Sequence, residues 1–295
     1  MAMNNGTEST NLLAGIRGVS FAGAPRDHTI LYLGHKLAHL LENLTDVSGC
    51  VLFLQDGMQV PASVAANNTV VYSAVPVRDY ARAAAVLYER EQGEWDALSY
   101  DIRDGATIGS RVVMGSGVVI EPGAVVGHGV VVGDDTRICS GAVIRPGVRI
   151  GQRCLIRPNA VIGDEGFTMA PDEDGNPFRL HCLAGVELGD DVEIGAGATV
   201  CRGQSRDTVL ERFVKVDDHA YLAHDVHLGA RVVITAGVRL GGFVTVGADS
   251  YIGMGAVVKQ LLSIGSGCTV GMGSVVTKGL PDGVTAYGIP ARIHD

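Results

Sequence analysis

From Ile102 onward an aliphatic side chain returns at every sixth residue. The run is Ile102, Ile108, Met114, Ile120, Val126, Val132, Ile138, Ile144, Ile150, Ile156 and Ile162. It breaks and returns as Leu188, Ile194 and Val200. It breaks again and then runs from Leu210 through Val216, Leu222, Leu228, Ile234, Leu240, Val246, Ile252, Val258, Ile264 and Val270 to Val276. A six-residue unit is too short for a helix and its loop, but it fits one short strand and one tight turn with the aliphatic residue inward. Three units make a coil of about 18 residues, and stacked coils pair their strands in parallel around an aliphatic column. Helical solenoids repeat at roughly 30 residues or more, so the period excludes them. Glycine often directly follows the inward residue, as at Gly109, Gly127, Gly133 and Gly241, and is expected there to supply unusual turn angles.

The interruptions predict excursions from the coil. Residues 163–187 read as an ejected loop, with Phe167, Met169, Phe178 and Leu180 as apolar anchors. An ordered loop lining a site is the expectation, with a smaller slip at 201–209. Residues 1–100 lack the six-residue count. Thr29–Leu33, 50–54 and 69–72 read as buried strands, 78–91 as an amphipathic helix, and 31–44 as potentially helical. The fold class is therefore mainly β: a parallel β-solenoid over 101–280, a small α/β domain over 1–100, and a tail over 281–295. Tyr287, Ile289 and Pro290 in that tail are expected to cover the open end of the solenoid.

Composition agrees with a narrow column. Glycine accounts for 41 of 295 residues, while aromatics are only 5%, too few for a core filled by large rings. The net charge of −9 argues against nucleic acid as a partner. No run approaches the ~20 apolar residues of a membrane span. Residues 1–10 are polar, without the charged-then-apolar order of an export signal. The six cysteines show neither CxxC nor zinc-ribbon spacing, so reduced thiols in the cytoplasm are expected.

Reactive side chains concentrate in 214–229, VKVDDHAYLAHDVHLG, which carries Asp217, Asp218, His219, His224, Asp225 and His227. His224 falls two places after the inward Leu222, hence on a turn, where an imidazole can take a proton from an attacking nucleophile. Asp225 could orient it, or the two neighbours could point apart as solvated turn residues. Eighteen residues on, Gly242 should lie on the coil above. It could leave room for a substrate and offer its N–H to an oxyanion, or serve only the turn.

The six-residue pattern resembles the hexapeptide-repeat family over 101–280, which implies a left-handed parallel β-helix. Within it, AHDV at 223–226, NAVIGDEGF at 159–167, GDDVEIG at 189–195, RG at 202–203 with DT at 207–208, and GIPA at 288–291 resemble nucleotide-sugar N-acyltransferases. The resemblance is strongest to those acting on UDP-3-O-acylglucosamine in lipid A synthesis. It implies an acyltransferase in which His224 is the general base. That base deprotonates a sugar amine as the amine attacks an acyl thioester, with the Gly242 amide serving the oxyanion. It also implies a nucleotide-sugar-binding N-terminal domain with Phe53 stacking on the base. Asp217, Asp218, His181 and Phe167 are further candidate substrate contacts. No metal or tightly bound cofactor is implied. The co-substrate is acyl-CoA or acyl carrier protein, the assembly a homotrimer with sites between subunits, and the setting cytoplasmic lipopolysaccharide or surface-glycan biosynthesis. Cys201 stands where the family has an acidic residue, and the Leu261 region lacks a second histidine. The tail resembles that of sugar acetyltransferases using acetyl-CoA, so the donor stays open. Two alternatives remain: a zinc enzyme of carbonic-anhydrase type using His181, His219 and His224, and a non-catalytic scaffold.

Overall fold

The computed structural model describes residues 11–294. Residues 1–10, read above as lacking an export signal, lie outside them. The chain divides into two units. The first comprises residues up to Glu94 together with Phe167–Ala184 and Gln204–Arg206; the second comprises the remaining residues from Trp95 onward.

The first unit is built on a four-stranded parallel sheet, β1 (Gly18–Val19), β2 (Thr29–Leu33), β3 (Val51–Gln55) and β4 (Thr69–Ser73), in that spatial order. Parallel strands need crossovers, supplied by a 3-10 helix at His35–Leu44 and by α1 (Ala62–Asn67). The potential helix at 31–44 is thus split: its first residues belong to β2, and Gly34 in an extended conformation separates the 3-10 turn. The amphipathic helix is longer than its sequence pattern, running over α2 (Pro76–Asp96) with Pro76 at its start, where a missing N–H costs nothing. Tyr80, Ala81, Ala83, Ala84 and Leu87 pack it onto Ile30, Val51 and Phe53. The ejected loop contributes a two-stranded hairpin, Met169–Pro171 with Pro177–Arg179, and buries Ala170, Leu180 and Ala184 in this same core. Arg82 and Arg78 pair with Glu173 at its tip.

The second unit is a left-handed parallel β-helix of three sheets. Registers step by 18 residues per coil, as in Val131↔Arg149 and Tyr221↔Arg239. The step lengthens to 38 at Arg149↔Glu187 and to 22 at Glu187↔Val209, so the two excursions add 20 and 4 residues; the register shifts between Ile162 and Asp164, where the first one leaves. The first excursion rejoins the coil at Gly185, which accepts from the N–H groups of Gly203 and Thr208, on either side of the second, and donates its own N–H to Asp207 Oδ1 at 2.7 Å. The aliphatic column from Ile108 to Val276 is buried nearly throughout. The tail ends in a hairpin, Thr285–Gly288 with Ala291–His294, whose first strand pairs with Thr269–Val270. Ala286 is the residue it buries; Tyr287 and Ile289 remain exposed, contrary to their expected role.

The turn glycines also do something other than expected. Those that directly follow the inward residue mostly have ordinary backbone angles. Their constraint is the coil above: a Cβ on Gly127 would lie 2.5 Å from Pro146 N, and on Gly241 2.6 Å from Gln260 N. The left-handed conformation falls two residues later, again every sixth residue, and is occupied there by Gly129, Asp135, Asn159, Asp191, Asp225, Arg231, Phe243 and Leu261 among others.

Candidate functional site

His224 lies in the turn between the strands Tyr221–Leu222 and His227–Leu228. The same turn position recurs on every coil, and its ordinary use is structural. The side chain there reaches back to cap an N–H one coil below: His128 Nδ1 accepts from Ser110 N–H at 2.9 Å, Asp134 from Ser116 at 2.7 Å, and Asp218 from Ala196 at 2.7 Å. His224 is directed differently. Its Nδ1 lies 2.8 Å from Asp225 Oδ2, and its side chain is 13% exposed while that of Asp225 is fully buried. The neighbours therefore meet. Asp225 takes the left-handed conformation (φ 60°), which an Asp tolerates better than most side chains. Where Asp225 is ionised it can only accept, so the imidazole then carries its hydrogen on Nδ1.

Gly242 lies on the coil above, as the 18-residue step requires. A Cβ there would fall 2.5 Å from His224 Cε1 and 2.6 Å from Nε2, so glycine makes room for the ring. Gly242 is buried, yet among the described residues its N–H has no hydrogen-bond partner. Buried N–H groups are nearly always paired, so this donor, beside the Nε2 end of the imidazole, calls for a ligand atom. The space that Gly242 leaves is filled by the His224 ring rather than left open for a substrate.

Two further residues surround the imidazole. Phe243 meets it edge-on, with ring centroids 5.4 Å apart and planes at 87°. Gly166, at the start of the ejected loop, closes the other side; a Cβ there would lie 2.8 Å from His224 Cδ2. Neither was picked out as a site residue from sequence, although Phe243 carried a signal: a bulky ring at a turn position otherwise held mainly by Gly, Asp, Asn or Arg. Cys201, in place of the acidic residue, points its thiol at the Tyr221 hydroxyl at 3.5 Å, and burial pushes its pKa up.

Asp217 and Asp218 do not join this cluster. Asp217 and Asp218 follow the strand Lys215–Val216 and so occupy a different corner of the coil. Asp217 accepts from the Asp218 N–H, and Asp218 caps Ala196 and faces Arg157. His181 and Phe167 belong to the first unit. His181 stacks on Tyr88 at 4.0 Å, and Phe167 is exposed with the Arg179 guanidinium 5.6 Å from its ring centre. Phe53 is a correction. It is fully buried on a central strand whose residues Val51–Leu54 are all covered, and it packs edge-on to Tyr80, so its ring has no face open to a base. Among the described residues no group of three His, Cys, Asp or Glu side chains is placed to hold a metal ion.

With the geometry in view, comparison with known proteins finds hexapeptide-repeat similarity over parts of the coil. A family described as bacterial transferase hexapeptide (six repeats) matches residues 111–146 and 129–164, and the hexapeptide repeat of succinyl-transferase matches 181–202 and 243–278. Among individual relatives, the chain is similar to the UDP-3-O-acylglucosamine N-acyltransferase of Hahella chejuensis, 45% identical over 96 residues, covering 32% of this chain and 27% of that protein. It is 41% identical over 98 residues to the enzyme of the same name from Delftia acidovorans, covering 33% and 29%. The match thus spans under a third of the length of these relatives. In three dimensions the chain resembles the UDP-N-acetylglucosamine acyltransferases of Campylobacter jejuni (TM-score 0.60, 24% identity, 66% of this chain and 74% of that one) and Arabidopsis (0.57, 22%, 66% and 73%), a likeness of fold.

Proposed function

We propose that the protein is an N-acyltransferase that moves an acyl group from a thioester to the amine of a nucleotide-linked amino sugar. The observation that carries this reading is the buried His224–Asp225 pair with the unpartnered Gly242 N–H beside the imidazole. Relatives named as UDP-3-O-acylglucosamine N-acyltransferases support the substrate class. The amine nitrogen adds to the thioester carbonyl carbon while Nε2 of His224 takes its proton. Asp225 holds the ring and stabilises the imidazolium. The carbonyl oxygen, now an oxyanion, accepts from the Gly242 N–H. The C–S bond then breaks, and the thiolate leaves with the proton held on Nε2, giving an amide and a free thiol. The donor is acyl-CoA or acyl carrier protein. The working assembly is a cytoplasmic homotrimer in which a neighbouring subunit completes the site; among the described residues no helix is long and apolar enough to cross a membrane.

The test combines binding and turnover. A thermal-shift screen of UDP-, dTDP- and GDP-linked amino sugars, with acetyl-CoA and longer acyl thioesters, should raise the midpoint for one sugar and one donor class. With that pair, His224→Ala should lower kcat/KM by about 10²–10⁴-fold. Undiminished turnover in that variant removes His224 from the chemistry, and a monomeric mass by light scattering removes the shared site.

A further inference from the structure

The imidazole of His224 occupies a slot with almost no clearance. On one side Gly166 would place a Cβ 2.8 Å from Cδ2 and 3.1 Å from His224 Cβ; on the other Gly242 would place one 2.5 Å from Cε1. Real Cβ atoms do not approach ring carbons this closely, so the ring fits only because both positions lack a side chain. The third boundary is the edge of Phe243. Phe243 holds the left-handed backbone (φ 62°) that the repeat sets at this turn position, which fixes where its ring leaves the chain. These constraints converge on one torsional setting of His224, the one that brings Nδ1 to 2.8 Å from Asp225 Oδ2.

We infer that Gly166 and Phe243 are positioning residues. They hold the His224 ring in the orientation that keeps its Nδ1 on Asp225 and its Nε2 beside the Gly242 amide. Gly166 is an unusual place for such a role, because it lies on the chain as it leaves the coil rather than on the coil itself. A methyl group at residue 166 needs room that only rotation of the imidazole can provide, and rotation breaks the Asp225 contact. Loss of the Phe243 ring removes one wall and lets the imidazole sample other rotamers.

Histidine-labelled protein tests this by NMR, with the His224 signal assigned by its loss in His224→Gln. In the wild type the two ring nitrogens should show hydrogen fixed on Nδ1 at neutral pH. In Gly166→Ala that signature should give way to an averaged one, with both ring-nitrogen signals displaced. Phe243→Leu should shift both in the same direction by less. Gly18→Ala, at a position with ordinary backbone angles and open space around it, should change neither. The proposed acyl transfer supplies a second readout that rests on that functional reading: Gly166→Ala should lower kcat by about 10- to 100-fold, with KM for the amino sugar within about twofold, as expected for a misplaced base. A folded Gly166→Ala variant with wild-type His224 signals overturns the inference. If that variant fails to fold, unchanged His224 signals in Phe243→Leu overturn it instead. If wild-type protein transfers no acyl group to any amino sugar, the functional reading fails while the NMR result still decides the positioning role.

Discussion

A histidine on a turn becomes a usable base only when something fixes its tautomer, and in the proposed reaction Asp225 has that task. Asp225 is buried, left-handed and bonded to Nδ1. Asn is the informative replacement because it also tolerates the left-handed backbone. Asp225→Asn should therefore leave the thermal midpoint within a few degrees of wild type. An amide can present its N–H₂ to Nδ1 and so favour the tautomer with the hydrogen on Nε2, the nitrogen that must be free. Turnover should then fall by roughly 10³–10⁴-fold, the scale on which a comparable substitution disables a serine-protease triad. Steady-state kinetics beside a melting curve separates the two effects. A large loss of stability with proportionate loss of activity would mean that Asp225 is there to hold the turn.

At the scale of the coil, glycine has two separable uses, and they predict opposite tolerances. Gly127 has ordinary angles but faces the backbone of the next coil at 2.5 Å, whereas Gly255 has φ 66° and open space where a Cβ would go. Gly127→Ala should cost about 1–3 kcal/mol as overpacking, while Gly255→Asn should cost well under 1 kcal/mol. Chemical denaturation of both variants checks the ordering, and equal costs would mean that backbone angle governs both sites. In α2, Gly93→Ala should stabilise the protein by about 0.5–1 kcal/mol, because Gly93 has ordinary angles and nothing within 4 Å. The same distinction explains how much was legible beforehand. The period of six is a one-dimensional signal, so it revealed the coil, both interruptions and the 224-to-242 step. Strand β3 was equally plain as an apolar run, but the same run conceals that Phe53 is covered on both faces. Gly166 could not be found by counting, because it reaches His224 through a chain path that leaves the repeat. Why a glycine follows the inward residue also stayed hidden, since only stacked coils show what a Cβ would strike.

For the whole molecule, stacking turns a repeated local pairing into a pH dependence. Arg153 forks onto Asp191 one coil above at 2.9 and 2.7 Å, and Arg231 onto Asp249 at 2.5 and 2.7 Å. Glu121 likewise accepts from Arg137 and from the Ser140 N–H. The Arg153 and Arg231 hydrogen bonds lower the pKa of Asp191 and Asp249, and the Ser140 N–H followed by Arg137 lowers that of Glu121. A carboxyl with a folded pKa below its unfolded value binds fewer protons when folded. Its stabilisation is complete above the unfolded pKa, near 4, and is lost as pH falls through the folded value. All three sites are at the surface and individually weak, but each links one coil to the next, the two Arg–Asp forks at one corner and Glu121 at another, so their losses add. The thermal midpoint should therefore change little from these groups between pH 7 and 5 and fall steadily below about pH 4. Asp249→Asn should melt lower than wild type at pH 7 and show a shallower fall in acid, so that the two curves converge. Parallel curves from pH 7 to pH 2 would show that the Arg231–Asp249 fork contributes nothing to the acid response. Raising the salt concentration to about 1 M should shrink the difference at pH 7, because screening weakens exposed pairs first.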